Sequence, residues 1–371
     1  MAGLAKLVNE GNDFSKKTIK LGANIDLDGK EWTPIGTSSS PFGGTLDGGN
    51  NTISNFTVIG TGYLGLFGKT NGATVKDLTL SDVSVTGTSD RVGTLAGQTV
   101  GTTLSNVTIS GAIVTSTVFS YGNAYAGGLT GEGYTGKIEN CVVDDLTLIT
   151  NGAFVGGISG QGYAAINNCI VKNSSISTEY WKIGGIIGQL NEGKFTFEGN
   201  QVLHTTIAST SASGSVGGII GFSNYGSKTL TDNIVKGVTL SSPTGAGGLI
   251  GSVSSQNNDN FSFNKCTVDN LTFQSEGTIT NSGGLIGEKY WRGSEGTTFS
   301  AENCTVSDIQ VDAADDSKVG ALFGAFGTDD NTYTVTDVTV TAGDSESAVS
   351  QLIGNPKLGN STFTMSGNNT K

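Results

Sequence analysis

The 371-residue sequence contains one histidine (His204), two arginines (Arg91 and Arg292), 4 prolines and no long apolar run. A membrane-crossing helix needs about 18 or more consecutive apolar residues, and no such stretch exists. The start, MAGLAKLVNE, lacks the charged-then-apolar layout of a secretion signal. The expectation is therefore either a cytosolic chain or one whose leader has been removed. Charged residues make up only 14%, and the net charge is −12. That balance repels phosphate backbones and anionic membranes, which argues against nucleic-acid binding. With a single histidine and no Cys-x-x-Cys spacing, no set of converging metal ligands is evident.

What the chain does have is 58 glycines, set among Val, Ile, Leu, Thr, Ser and Asn. This is a composition of many strands and tight corners with almost no helix. Glycine recurs in a fixed unit: AGGLTG (126–131), VGGISG (155–160), IGGIIG (183–188), VGGIIG (216–221), AGGLIG (246–251) and SGGLIG (282–287). Degenerate copies are YLGLFG (63–68), VGTLAG (92–97), VGALFG (319–324) and VSQLIG (349–354), and the last glycines of these ten copies are 28 to 37 residues apart. A period near thirty signals stacked supersecondary units. After each copy comes a second strand, such as VKDLTL (75–80) or IENCVV (138–143), and then a third, such as LTL (146–148). The alternation has period two and leaves no room for a helix.

The predicted fold is all-β: a single parallel β-helix solenoid of about ten three-strand rungs stacked roughly 4.8 Å apart. Strand twist and the crossover rule favour a right-handed coil. Residues 1–62 read as an N-terminal cap and initial turns, and 63–371 as the repeat region of one continuous domain. Within the cap, LAKLVNEGNDF (4–14) is expected to form a short helix with Leu4, Leu7 and Val8 covering the first rung.

Aligning the second strands places Leu78, Val107, Cys141, Cys169, Asn200, Asn233, Cys266, Cys304 and Val338 in one column. Cysteine alternates there with Leu and Val, as a small buried hydrophobe does. Asn200 and Asn233 suggest a short internal ladder, each amide bonding the next. A Cys141–Cys169 disulfide is sterically conceivable, although stacked side chains normally run parallel. The glycines are followed by strands, not by a helix, and so suit tight corners better than phosphate cradling. A turn column of Asp82, Asp145, Asn173, His204, Gly237, Asn270 and Asp308 reads as a solvent-facing corner.

The N-terminal order TIKL (18–21), NIDLDG (24–29), WTPIG (32–36), PFGGTLDGGNNTISNFTV (41–58) and YLGLFG resembles the Gly-Leu-x-Gly (GLUG) repeat surface proteins of gut Bacteroidetes. The resemblance implies a secreted or surface-anchored β-helix of adhesin-like character with no established enzymatic activity. It extends over nearly the whole chain.

The run Asn24-x-Asp26-x-Asp28-Gly29 imitates the start of a calcium loop, but its twelfth position is Ile35 where Glu is required. The turns at 257–260 and 329–331 read as solvated loops, with loosely held Ca²⁺ as the alternative; no cofactor is otherwise expected. Acidic pairs Asp144/Asp145, Asp315/Asp316 and Asp329/Asp330 are the only carboxylate pairs of interest for a glycosidase. The Gly-His-Gly and Arg-Ile-Lys elements of polygalacturonase-like enzymes are missing. Aromatic residues are more suggestive: Tyr134, Tyr163, Tyr225, Tyr290 and Trp291 follow the repeated glycine, while Tyr121, Tyr125, Tyr180 and Trp181 precede it. Equivalent offsets predict a row of rings along one edge, which either stack on sugars or fold over the corners to cover apolar loop surface.

The expected role is a non-catalytic module, extracellular or at the cell surface, that recognises a glycan or a surface protein through a repeated loop edge. The alternatives are a carbohydrate-active enzyme on a β-helix, or a passive spacer.

Overall fold

The computed structural model of the chain describes residues 1–117, 124–256, 258–289, 296–326, 331–342, 351–356 and 362–366. It is a parallel β-solenoid of about ten turns, with one short N-terminal helix among the described residues. By compactness the chain falls into two units, Met1–Glu179 with Ile186–Gly188, and Tyr180–Gly185 with Gln189–Lys371.

In the first unit the helix spans Ala2–Asn9 and buries Ala5 and Val8. Leu7, expected on the covering face, is 47% exposed, and Leu4 is half-buried. The helix stops short of the anticipated 4–14 because Gly11 takes φ 107°. The Asn9 side chain then holds the next segment, donating to Pro34 O at 3.1 Å and accepting from Gly36 N at 2.7 Å.

The turns of this unit stack in register. Strand Ala96–Ser116 pairs with Thr74–Gly87 on one side and with Thr130–Glu139 and Val142–Thr150 on the other. Inward positions alternate along it, so Phe56, Val58, Val83, Val85, Ala112, Val114, Leu146 and Leu148 are all buried. Each Val, Leu or Phe among them contributes about 1.5–3 kcal/mol on leaving water. Two corners per turn are made by single left-handed residues. Asp77, Asn106, Asn140 and Asn168 form one column, and Asn55, Asp82, Asp145 and Asn173 the other, all at φ between 52° and 56°. Asn and Asp tolerate this region because their short polar side chains bond locally. Asn106 Nδ2, for instance, donates to Asp77 Oδ1 of the preceding turn at 2.8 Å.

The second unit uses the same corners. His204, Asn270 and Asp308 are left-handed, as are Asp232, Lys265, Asn303 and Asp337. His204 is exposed, and its ring lies over Gly237, where an added Cβ would sit 2.7 Å from His204 Nδ1. A separate six-stranded sheet runs through Phe195–Glu198, Lys228–Thr231, Asn260–Asn264, Thr298–Glu302, Thr332–Thr336 and Thr362–Ser366. Its inner column stacks Phe261 on Phe299 and Phe299 on Tyr333, with ring centroids 5.4 Å apart in each pair. Near-parallel rings at this spacing add about 0.5–1.5 kcal/mol per pair to area burial.

Candidate functional site

Each Gly-Gly unit forms a tight arch. A Cβ on Gly127 would overlap the Thr130 carbonyl oxygen, and one on Gly217 would overlap that of Ile220. The glycines therefore permit close backbone approach, and no helix follows them to offer an anion site. Because the chain doubles back at the arch, the side chain before it meets the side chain after it. Lys182 Nζ donates to Gln189 Oε1 at 2.7 Å, and Asn281 Nδ2 donates to Glu288 Oε2 at 3.0 Å.

In the first unit this seam holds a charged network. Tyr63, Arg91, Tyr125 and Phe154 are in register on successive turns. The Arg91 guanidinium lies 5.2 Å from the Tyr63 ring centre and 5.1 Å from that of Tyr125, while Tyr125 stacks on Phe154 at 5.5 Å. Arg91 Nε and Gln98 Nε2 both donate to Glu132 Oε2 at 2.6 Å. Burial works against the guanidinium charge, yet the bond and charge of Glu132 outweigh it and raise the Arg91 pKa. Burial raises the phenol pKa of Tyr125.

In the second unit, Lys182 Nζ sits 3.8 Å from the Phe222 ring centre and 5.2 Å from that of Trp181. Burial lowers its pKa to about 8. Burial also raises the pKa of Glu288, against hydrogen bonds from Ser252 and Asn281. Sequence reasoning missed this seam. Its signal was present: a polar or aromatic residue two positions before every glycine pair but Gly247-Gly248, with another directly after the last glycine.

The aromatic candidates divide. Tyr134 and Tyr163 lie on successive turns, following in-register Gly133 and Gly162, and meet edge to face at 5.3 Å and 80°. Tyr134 is 45% exposed and Tyr163 half-buried. Tyr180 and Trp181 contact each other at 5.4 Å, with Trp181 38% exposed. Tyr180 and Trp181 belong to the second unit and precede their arch, whereas Tyr134 and Tyr163 belong to the first and follow theirs. Tyr225 is half-buried on its own loop, and Tyr125 is buried in the seam. Tyr121, Tyr290 and Trp291 lie outside the described residues.

One surface had no sequence signal. In the first unit the outward positions of the third strand are Thr57 and Ile59, Ser84 and Thr86, Ile113 and Thr115, Thr147 and Ile149, and Ser175 and Ser177, in register from turn to turn. Ile59, Ile113 and Ile149 are more than half exposed, and this face carries no charge. An open cavity of about 520 Å³ lies beside it, lined among others by Asn9, Thr37, Ile59, Tyr63 and Asp90.

The second-strand column is internal. Cys141, Cys169, Cys266 and Cys304 are buried free thiols. Asn233 Nδ2 donates to Phe197 O at 2.8 Å and Thr231 O at 3.0 Å, and its Oδ1 accepts from Asn200 N at 3.1 Å. The amide thus seals the corner backbone of the preceding turn. Asn51, in register with Leu78, does the same for Leu21 O and Gly48 O.

The acidic pairs do not converge. Asp144 bonds Lys172 and Asn173, while Asp145 is an exposed corner residue. Asp315 and Asp316 are exposed, and Asp329/Asp330 lie outside the described residues. Asn24-x-Asp26-x-Asp28-Gly29 forms a bulged corner in which Asp28 N donates to Asp26 Oδ1 at 2.8 Å. No group of three His, Cys, Asp or Glu suited to a metal occurs among the described residues.

Fold and seam together define a parallel β-solenoid repeat protein. Within it, residues 11–111 match a family model described as the N-terminal region of the M26 IgA1-specific metallo-endopeptidases. That segment covers little more than a quarter of the chain and includes the onset motif and the first arches. It names a different family from the Gly-Leu-x-Gly resemblance, although it covers the same onset residues. No curated protein matches the chain.

Proposed function

We propose that the chain is a non-catalytic, adhesin-like module of the cell surface or extracellular space, which recognises a glycan or a surface protein. The observation that carries this reading is the Tyr134–Tyr163 pair, an edge-to-face couple on two stacked turns with Tyr134 exposed and Tyr163 half-buried. Such rings stack on the apolar faces of sugars, and repetition along a solenoid lets weak contacts add. The Gly-Leu-x-Gly resemblance supports the same role. The family match, whose description names an N-terminal region of an endopeptidase, supports only the non-catalytic part of this reading.

That match also favours a second reading, in which the chain is an accessory region that positions a peptidase on its target. The two readings are tested together. The protein is passed over immobilised plant, mucin and matrix glycans and over IgA1, with retention, released sugar and protein cleavage followed. Glycan retention that is lost in Tyr134→Ala/Tyr163→Ala, without release, supports the module. Retention on IgA1 alone supports the accessory region, and released sugar overturns the non-catalytic reading.

A further inference from the structure

Lys228 is wholly buried, in a column otherwise built of aromatic rings. Its register partners are Phe195 on one neighbouring turn and Phe261 on the other. An apolar residue would continue that stack, so a lysine needs a reason. The reason lies at the end of its side chain, where Nζ donates to four backbone carbonyl oxygens: Gly193 at 2.8 Å, Asn224 at 3.0 Å, Tyr225 at 3.0 Å and Gly226 at 2.7 Å.

Four carbonyls converging on one point have the geometry by which proteins replace the hydration shell of a bare cation. An ammonium has three N–H donors, so four acceptors at these distances share them around a single charge. The floor of the cage is two stacked glycines: a Cβ on Gly226 would overlap the Gly193 backbone. Both residues take positive φ, Gly193 at 132° and Gly226 at 97°, which turns their carbonyls inward. Phe195 closes one side, its ring centre 5.7 Å from Nζ. Asp259 supplies nearby negative charge and fixes the outer wall, accepting from Gly226 N at 2.9 Å and Gln256 N at 2.7 Å.

We infer that the corner formed by Gly193 and Asn224–Gly226 is a monovalent-cation site whose resident ion is the chain's own Lys228 ammonium. The lysine thereby joins two loops of successive turns without an exogenous ion and sets the backbone that carries Tyr225. Burial lowers the lysine pKa to about 8, and the amine is therefore still charged at neutral pH.

The test uses the full chain with Lys228→Ala, which empties the cage, and Lys228→Met, which fills it without charge. Thermal unfolding is compared in methylammonium, potassium and choline chlorides at equal ionic strength. Both variants are expected to melt about 4 °C or more below the parent. Methylammonium, and to a lesser degree potassium, should raise Lys228→Ala alone, with choline inert. A Lys228→Met protein as stable as the parent overturns the site, as does a Lys228→Ala protein that responds equally to methylammonium and choline. Should the variants fail to fold, the parent still decides. The nitrogen-15 signal of its Lys228 side chain, assigned by contact with Phe195, must show a slowly exchanging –NH₃⁺ at neutral pH. A neutral or rapidly exchanging amine there overturns the inference.

Discussion

Arg91 donates from Nε to Glu132 Oε2 at 2.6 Å, joining residues 41 positions apart across a seam where their side chains are only 21% and 12% exposed. Removing the guanidinium leaves Glu132 and Gln98 in a confined space without a cation. Arg91→Met is expected to destabilise the first unit by roughly 1–3 kcal/mol, less than for a fully buried pair because water reaches the edge. Denaturant unfolding at low and high salt checks this, and the loss should persist in salt because the pair is largely shielded.

The four cysteines are expected to resist a thiol reagent in the native protein and to react together on denaturation. Hydrogen bonding with Cys141, and then burial, push the Cys169 thiol well above its usual pKa, so little thiolate is available. Fast labelling of any thiol before unfolding would show that the column opens.

Lys182 predicts the pH profile of the second unit. Its folded pKa is lowered to about 8 from 10.5, so between these values the unfolded chain holds a proton that the folded chain has released. Stability therefore rises as pH increases from about 8 toward 10.5 and is lost again on returning below 8. Lys182→Met should reduce that slope in unfolding midpoints measured from pH 7 to 10.5, leaving the part that Lys228, also lowered to about 8, contributes, and should cost little at neutral pH because it leaves no buried charge at its own position.

Asn233→Ala removes the side-chain donor from Phe197 O and Thr231 O, the second of which still accepts from Gly199 N, and takes the Asn233 acceptor from Asn200 N in a sealed corner. The expected loss is about 2–4 kcal/mol. Cys266→Ala, on the adjacent turn of the same column, removes mainly packing and is expected to cost less. Paired unfolding curves of the two variants distinguish a polar seal from simple filling.

Repetition made much of the fold legible. The ten glycine units set the period, and period-two alternation marked inward residues such as Val107 and Cys141. The corner column of Asp82, Asp145, Asn173, His204, Gly237, Asn270 and Asp308 emerged from the same alignment, since only residues tolerant of positive φ serve there. The N-terminal helix was placed, but its face was not: Leu4, Leu7 and Val8 are all apolar, and contact with the first turn selected Ala5 and Val8.

The candidate site was less legible because its residues meet through backbone reversal. Arg91 reads as a lone arginine until the arch brings Glu132 beside it, and Lys228 reads as a solvated charge until four carbonyls close on it. The aromatic residues were visible as a list, and the structure then paired Tyr134 with Tyr163 and Tyr180 with Trp181.

Sequence by itself determined that this chain stacks strands at a thirty-residue period, because every turn must satisfy the same alternation and the same left-handed corners. Tertiary structure decided which outward side chains touch, where charge is buried and which rings stay exposed. Those outcomes depend on the sharpness of each glycine arch and on the turn stacked beside it, neither of which local residue preference encodes.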